Sequence, residues 1–507
     1  MIAPQCFVLC IGEKLSFIFG RPCFASKDRM SLKEKFSDRW KPFERSLQFW
    51  VRAVDIYVGY KVCQLRTRLV RDAGEQEAMW ERQHVLAAEK MYLLCSELGG
   101  FFLKAAQIFG KPDLAPAAWV RRLVTLCDRA PETPFKVVQQ VVEEELGKKF
   151  DEVFERFDVE PVGSASIAQV HRARLRNANT DVAVKVQHPG GELLMMIDIH
   201  NLQAFAKFLQ KEINFDLFSL TKEVEKQIRY EFDFRREAEA MERIRIFFRT
   251  NNRAAPVLVP RVINGMVTRK VLVMEFINGI PIMNLGDAIA QRGIDPCGKL
   301  ATAAKQKILE NLTLAYGQMI LKSGFFHADP HPGNILICKD SKVALLDYGQ
   351  VKQLPDCLRL GFANLVVAIA EKNPSKAAQS YRELGIETLN SDNDEEELLQ
   401  LAMKMFDTKL PGGITTLSPF SEESSLKKIS VQSFPEELFS VLRTMQLLRG
   451  LSVGMGISCS CAEQWRPLAQ EALYRAGRLK DGSFKSQQRS GFLQRVFRRG
   501  RMFDQQQ

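Results

Sequence analysis

The stretch HADPHPGN, His327 to Asn334, followed by LLDYG, Leu345 to Gly349, decides how this chain is read. It sets a carboxylate, Asp329, five residues before an amide, Asn334, and a second carboxylate, Asp347, thirteen residues further on. Phosphoryl transfer asks little covalent work of a protein. It asks for magnesium held against phosphates and for a carboxylate beside the attacking oxygen. H-x-D-x-x-x-x-N followed by D-[FY]-G supplies these parts in the order of a kinase catalytic loop and metal loop. Asp347 is then the ligand of the metal bridging the phosphates. Asn334 holds a second metal, or the same one from the other side. Asp329 orients or deprotonates the nucleophile. His327 and His331 flank the site, but magnesium prefers oxygen ligands, so His327 reads as a structural residue of the catalytic loop.

Working outward, GSASIAQV at Gly163 to Val170 precedes VAVK at Val182 to Lys185. The first fills the frame of a kinase glycine-rich loop, with Ala165 and Ala168 at its second and third glycine positions. Gly163, Ser164, Ala165, Ser166 and Val170 are its expected nucleotide-binding residues. Alanine restricts the positive φ values that glycine allows, so the loop is expected to be stiff. That favours ATP hydrolysis or phosphorylation of a small molecule or lipid over protein phosphorylation. Lys185 is expected to pair with the α- and β-phosphates and with a helix glutamate.

The rest of the chain bounds this reading. It has 507 residues, 46% hydrophobic and 26% charged, which excludes a wholly disordered protein. The net charge is +11. More than half of it lies in a tail, residues 477–507, with eight basic residues against two acidic ones. The remainder is nearly neutral, which argues against a nucleic-acid-binding body. Eleven scattered cysteines suit a reducing compartment, and Cys459-x-Cys461 without further ligands makes a poor zinc site. The sequon Asn311-Leu-Thr313 reads as incidental. The most apolar helical stretch, Leu438 to Met455, is interrupted by Arg443 and Arg449, so no transmembrane span is expected.

Periodicity predicts a long amphipathic helix over 43–70, with apolar residues every three or four positions from Phe43 to Leu69. Its apolar side is expected either to pack on the body or to lie on a membrane surface, with Trp50 and Tyr60 as interfacial anchors. Helices follow at 85–110, to about 127, and at 136–157. Strands are expected at 166–175 and 181–187 around an Asn-rich turn, a charged helical stretch at 192–248, and strands at 256–264, 268–277, 335–338 and 343–346. Residues 390–397 read as an acidic loop opening a helix, and 411–425 as a Gly-, Ser- and Pro-rich loop. The fold class is therefore α+β: a two-lobed protein-kinase-like fold with an N-terminal helical extension. The boundaries are 1–29 for an extension able to serve as a targeting segment, 30–135 for the helical extension, 136–280 for the N-lobe, 281–476 for the C-lobe and 477–507 for the basic tail. The tail, FLQRVFRRGRMF at 492–503, alternates apolar residues with arginines and suits weak docking on anionic lipid.

These motifs together resemble the UbiB-type atypical kinases, also called aarF-domain-containing kinases, and a plant member most closely. The resemblance covers roughly residues 90–475. It rests on the alanine-bearing loop, a K-x-G-Q-like element at Lys104 to Gln107, YEFDFRREA at 230–238, and HADPHPGN. The resemblance implies that Glu231 and Asp233 form the E-x-D element, that Glu237 pairs with Lys185, and that Lys104 and Gln107 cover the pocket. It implies that Glu275 and Ile277 contact adenine through their backbone, that ATP or ADP and Mg²⁺ are bound, and that quinone-biosynthesis proteins are partners. It further implies a peripheral membrane role in prenylquinone or isoprenoid-lipid metabolism, in mitochondria or alternatively plastids. Two departures are evident. Ala106 stands at the glycine of K-x-G-Q, where a methyl works against close packing, and Gly163 replaces the loop's usual first alanine. Two other classes fit the H-x-D motif less fully: a choline- or aminoglycoside-kinase-type phosphotransferase, and a nucleotide-gated scaffold with vestigial chemistry.

Overall fold

The structure is a computed structural model that describes residues 32–103, 106, 116–123, 126, 132–176, 178, 180–210, 217–251, 255–388, 394–409 and 431–479. The leader 1–29, the loop 411–425 and the tail from residue 480 lie outside the described residues, as do Lys104 and Gln107. Residues 1–48 and 49–507 form two compact units. The first contributes the start of helix α1 (Leu32–Thr67).

From Phe49 onward, α1 is followed by α2 (Ala73–Leu98), whose first turn is capped by Asp72, accepting from Glu75 N at 2.8 Å. Helix α3 (Ala117–Leu123) follows. The body-facing side of α1 is Phe49, Ala53, Ile56, Cys63 and Thr67. Of the apolar residues that the periodicity picks out, Val51, Val58, Val62 and Leu65 lie exposed on the opposite side, continued by Leu69 just past the helix at 85% exposure, while Trp50 and Val54 are half-buried. Trp50 and Tyr60 are not interfacial anchors. Trp50 Nε1 donates to Asn201 Oδ1 at 3.3 Å, and Tyr60 hydroxyl accepts from Trp119 Nε1 at 3.1 Å.

The 136–157 segment is not one helix. It divides into α4 (Phe135–Leu146), ended by Gly147 in the left-handed region at φ 65°, then α5 (Phe150–Val153) and β1 (Phe154–Phe157). Strands β2 (Gly163–Ser164), β3 (Ala168–Leu175) and β4 (Asp181–Gln187) come next. Alternation along β4 sends Val182, Val184 and Val186 into one core with Val138, Val141, Val142 and Phe150. Ala183 and Lys185 face the other way.

The 192–248 stretch is three helices: α6 (Gly191–Leu209), α7 (Leu217–Glu231) and α8 (Phe234–Asn251). On α8, Phe234, Glu237, Ala238, Met241, Ile244 and Phe248 repeat at helical spacing and are all buried. A glutamate inside such a face demands a paired charge. The segment assigned to the N-lobe then sends β5 (Val257–Leu258) into the other lobe, while β6 (Val262–Val267) and β7 (Val271–Glu275) complete a six-stranded antiparallel sheet in the order β1-β3-β4-β7-β6, with β2 on β3.

The lobe boundary drawn at 280 falls within β8 (Ile280–Pro281), which pairs with β10 (Ile335–Ile337). The C-lobe is built on α9 (Leu285–Gln291) and α10 (Lys299–Gly317), then β9 (Phe325–His327), β10, β11 (Val343–Leu345) and β12 (Val351–Gln353). Helices α11 (Asp356–Glu371) and α12 (Pro374–Leu384), the short β13 (Glu387–Thr388), α13 (Glu395–Phe406), β14 (Val431–Ser433), α14 (Glu436–Gly454) and α15 (Cys461–Arg475) finish it. Asp394 caps α13 through Glu396 N, as the acidic loop leads one to expect. Gly317 is required by space: a Cβ there would stand 2.5 Å from the buried Trp465 ring. Thr313 of the sequon is buried inside α10. Among the described residues no helix is long and apolar enough to cross a membrane, and no group of three His, Cys, Asp or Glu side chains could hold a metal by itself.

Candidate active site

Lys185 leaves the pocket face of β4 and meets Glu237 of α8, with Nζ 2.8 and 2.9 Å from the two carboxylate oxygens. Asp347 Oδ1 lies 3.4 Å from the same ammonium. Burial works against the Lys185 charge, but Asp347 and Glu237 outweigh it and hold the ammonium above its ordinary range. Burial also pushes the Glu237 carboxyl up to about 7, against the pull of Lys185. The directions fit a charge-assisted pair withdrawn from water.

The metal loop is held from behind. His327, fully buried, sits between Tyr316 and the DYG backbone. Its Nε2 is 2.8 Å from Asp347 O and 3.2 Å from Leu346 O, and Nδ1 is 2.8 Å from the Tyr316 hydroxyl. Two carbonyls on one side assign the proton to Nε2, which leaves Nδ1 to accept from Tyr316. Burial keeps this imidazole neutral by lowering its pKa. The bond supports Asp347 at φ 57°, a left-handed conformation rarely adopted by a non-glycine residue. His327 is therefore structural, as its sequence position suggests.

Asn334 ends a tight turn after His331 and donates through Nδ2 to Asp329 O at 3.3 Å and Oδ2 at 3.4 Å. The other carboxylate oxygen of Asp329 accepts from Arg443 Nη2 at 2.8 Å. Sequence reasoning missed this arginine, reading it only as an interruption in an apolar helix. Arg443 keeps 42% of its side chain exposed, so nothing in its local sequence marks it as needing a buried partner.

The alanine-bearing loop is tied down by hydrogen bonds as well as by its alanines. Ala165 N donates to Ala168 O at 2.8 Å. His188, just past β4, lies with Nε2 2.9 Å from Ala165 O and Nδ1 2.6 Å from Thr133 Oγ1, and its backbone N–H donates to Ile167 O at 2.8 Å. His188 was not picked out from the sequence. Gly163 is not in the left-handed region, and a Cβ there would meet nothing within 4 Å. Gly163→Ala is thus expected to stabilise the fold by about 0.5 kcal/mol through the unfolded chain. A drop in melting temperature would show that the loop needs glycine's freedom.

Residues 125–381 match the ABC1 atypical kinase-like domain, a little over half of this chain. The chain belongs to the ABC1/AarF atypical kinase family. It is 31% identical over 424 residues to a chloroplastic protein of Arabidopsis thaliana named activity of bc1 complex kinase 7, covering 82% of this chain and 56% of that one. It is 32% identical over 318 residues to AarF domain-containing protein kinase 1 of Gallus gallus, covering 61% of this chain and 59% of that one. The chain thus spans a little over half the length of these relatives. Its fold is similar to that of a Mycobacterium tuberculosis protein solved in complex with erythromycin, with a TM-score of 0.50 and 21% identity over 79% of this chain and 98% of that chain.

In this ABC1/AarF chain the remaining expected residues fall as follows. Glu231 ends α7 half-buried, and Asp233 is engaged by Arg235 at 2.8 and 2.9 Å, which holds its carboxyl below the usual range. Between them Phe232 is fully buried, in one core with Phe101, Phe102, Leu103, Ala106 and Ile167. The helical extension, the E-x-D element and the alanine loop therefore share a core beside the pocket. Ala106, 1% exposed, is packed there, so its methyl fills space rather than obstructing it. Lys104 and Gln107 lie outside the described residues. Glu275 closes β7 opposite Val182, and Ile277 lies half-buried in the segment leading to β8.

Magnesium and nucleotide suit the donors present. Magnesium is usually held by one or two carboxylates completed by phosphate oxygens. Asp347, half exposed, and Asn334 offer a carboxylate and an amide oxygen, both hard ligands. Ser164 Oγ is buried with no hydrogen-bond partner among the described residues, in the loop where kinases meet phosphates.

Proposed function

We propose that this protein is an ATP-dependent enzyme, an ATPase or a kinase of a small molecule or lipid, acting in prenylquinone or other isoprenoid-lipid metabolism. The Lys185–Glu237–Asp347 cluster carries the reading. It withdraws Lys185 and Glu237 from water beside the half-exposed Asp347 carboxylate, a desolvation cost that a purely structural core has no use for. Magnesium, when bound, neutralises phosphate charge. Lys185 binds phosphate oxygens while Glu237 fixes its position. Asp329 orients the acceptor oxygen and receives its proton. Asn334 and Asp347 supply metal ligands. The His188 clamp limits the loop's motion, which suits small acceptors better than a protein substrate.

The acting surface is read as the anionic membrane of a plastid rather than of a mitochondrion, because relatives of this chain include chloroplastic proteins. The exposed stripe Val51, Val58, Val62, Leu65 and Leu69 supports a lipid contact. Arg66 in the last turn of α1 and Arg68 in the turn that follows flank it, the pattern of an interfacial helix. Quinone-biosynthesis proteins and the basic tail are further proposed contacts.

The test measures MgATP hydrolysis by the purified full chain, alone and with anionic liposomes and phenolic quinone-precursor mimics. Stimulated turnover is expected. A chain that binds nucleotide and turns none over would return the reading to a nucleotide-gated scaffold. Val58→Asp with Leu65→Asp is expected to weaken liposome sedimentation; unchanged sedimentation would remove α1 from the lipid contact.

A further inference from the structure

We propose that Arg443 is a positioning residue for Asp329, through which helix α14 sets the turnover rate. The proposal rests on the phosphoryl-transfer reading above.

Two side chains meet at this guanidinium. Nη2 donates to Asp329 Oδ1 at 2.8 Å, and Nη1 donates to Gln350 Oε1 at 3.2 Å. Gln350 directly follows DYG, and its carbonyl accepts from Ala328 N at 2.9 Å. Arg443 thus joins by side chain the two loops that Gln350 and Ala328 already join by backbone. Asn334 holds Oδ2 of Asp329, so the carboxylate has a donor on each oxygen. A carboxylate with one donor still swings about its side-chain torsions. With two donors from different elements it has one orientation, and the entropy of that choice is removed before any acceptor arrives.

The delivering element is rigid. Val441, Leu442, Met445 and Leu448 seat α14 in the C-lobe core. Asp329 is the shielded member of the pair, with 16% of its side chain exposed against 42% for Arg443. The guanidinium therefore reaches inward from the surface to a sheltered acid. Arg449, on the same helix, shows what a structural arginine does here: it donates to the carbonyls of Lys404 and Asp407 and touches no residue of the site. Arg443 instead spends its donors on the catalytic loop and on the residue after the metal loop.

The experiment compares the wild-type full chain with Arg443→Gln, Arg443→Lys and Arg443→Ala. ATPase kinetics and thermal shift with MgATP are read together. Arg443→Gln is expected to lower kcat by about 10- to 100-fold, with KM for ATP and the MgATP-induced shift unchanged. Arg443→Lys should regain part of the rate. Millimolar guanidinium ion should raise the rate of Arg443→Ala but not of wild type. Arg443→Gln placed on Asp329→Asn should add no further loss, because both act through one carboxylate. Unchanged kcat, or a loss in KM alone, or a loss that follows melting temperature without rescue by lysine or guanidinium, would overturn the proposal. A wild-type chain without turnover would overturn the reading beneath it, and is told apart by needing no variant.

Discussion

Asp347→Asn is expected to abolish the rise in melting temperature that MgATP produces, whereas Asp329→Asn is expected to keep that rise and lose turnover by about 10²- to 10⁴-fold. The two carboxylates sit in different surroundings. Asp347 is half exposed, in the left-handed region, with its backbone carbonyl held by His327 and one oxygen 3.4 Å from Lys185. Asparagine tolerates that conformation, so the substitution removes a ligand charge without breaking the loop. Nucleotide at about 100 times its Kd adds about 2.7 kcal/mol to a chain that binds it only when folded, and this is the increment at stake. Asp329 is tied to Arg443 and Asn334 and has no such role in holding metal. Equal stabilisation of wild type and both variants by MgATP would sink the assignment of Asp347. Full turnover by Asp329→Asn would sink that of Asp329.

How much of this was legible from sequence depends on the distance over which each signal acts. HADPHPGN, DYG and VAVK are contiguous, and their chemistry dictates the residue types, so Lys185, Asp329, Asn334 and Asp347 could be placed before any coordinates. Glu237 was found only through the family resemblance, since Glu239 carries the same charge two residues away. Its burial on the apolar face of α8 is what separates them. Arg443 lies 114 residues from Asp329, and no local rule joins such a pair.

Of the two readings of the apolar side of α1, packing on the body fails for a different reason. Periodicity chose the side with more apolar residues, Val51, Val58, Val62, Leu65 and Leu69. Packing chose the side where Phe49 and Ile56 alternate with the smaller Ala53, Cys63 and Thr67. A helix with two apolar sides has no single answer in its hydrophobic period. The break at Phe232 and Asp233 was likewise hidden, because helix formers surround it. What ends α7 there is the burial of Phe232 in the core shared with the extension. Propensity yields to such tertiary contacts.

Removing Glu237 is expected to have the largest effect on stability. Glu237→Ala leaves the Lys185 ammonium buried, with Asp347 at 3.4 Å as its remaining carboxylate among the described residues. Breaking a buried pair from one side costs about 3–5 kcal/mol, and the residual partner places this case near 3 kcal/mol. Lys185→Met should cost less, because an unpaired carboxyl can take up a proton. The double variant should be more stable than the sum of single losses implies, a coupling read from a double-mutant cycle in urea. Glu237→Gln adds a pH test. The ordinary carboxyl value is 4.5, and burial raises it to about 7 in the folded chain. Below 4.5 the proton is bound in both folded and unfolded states, and the contribution of this group to stability is fully present. Between 4.5 and about 7 the unfolded chain ionises first, so stability falls as pH rises, and above about 7 the contribution is gone. Lys185, held above its ordinary range, stays charged throughout this window. Wild type should therefore lose stability relative to Glu237→Gln on going from pH 5 to pH 8. Parallel pH curves for the two proteins would mean that Lys185 offsets the burial of the Glu237 carboxyl in full, and that the pair is ionised across the whole range.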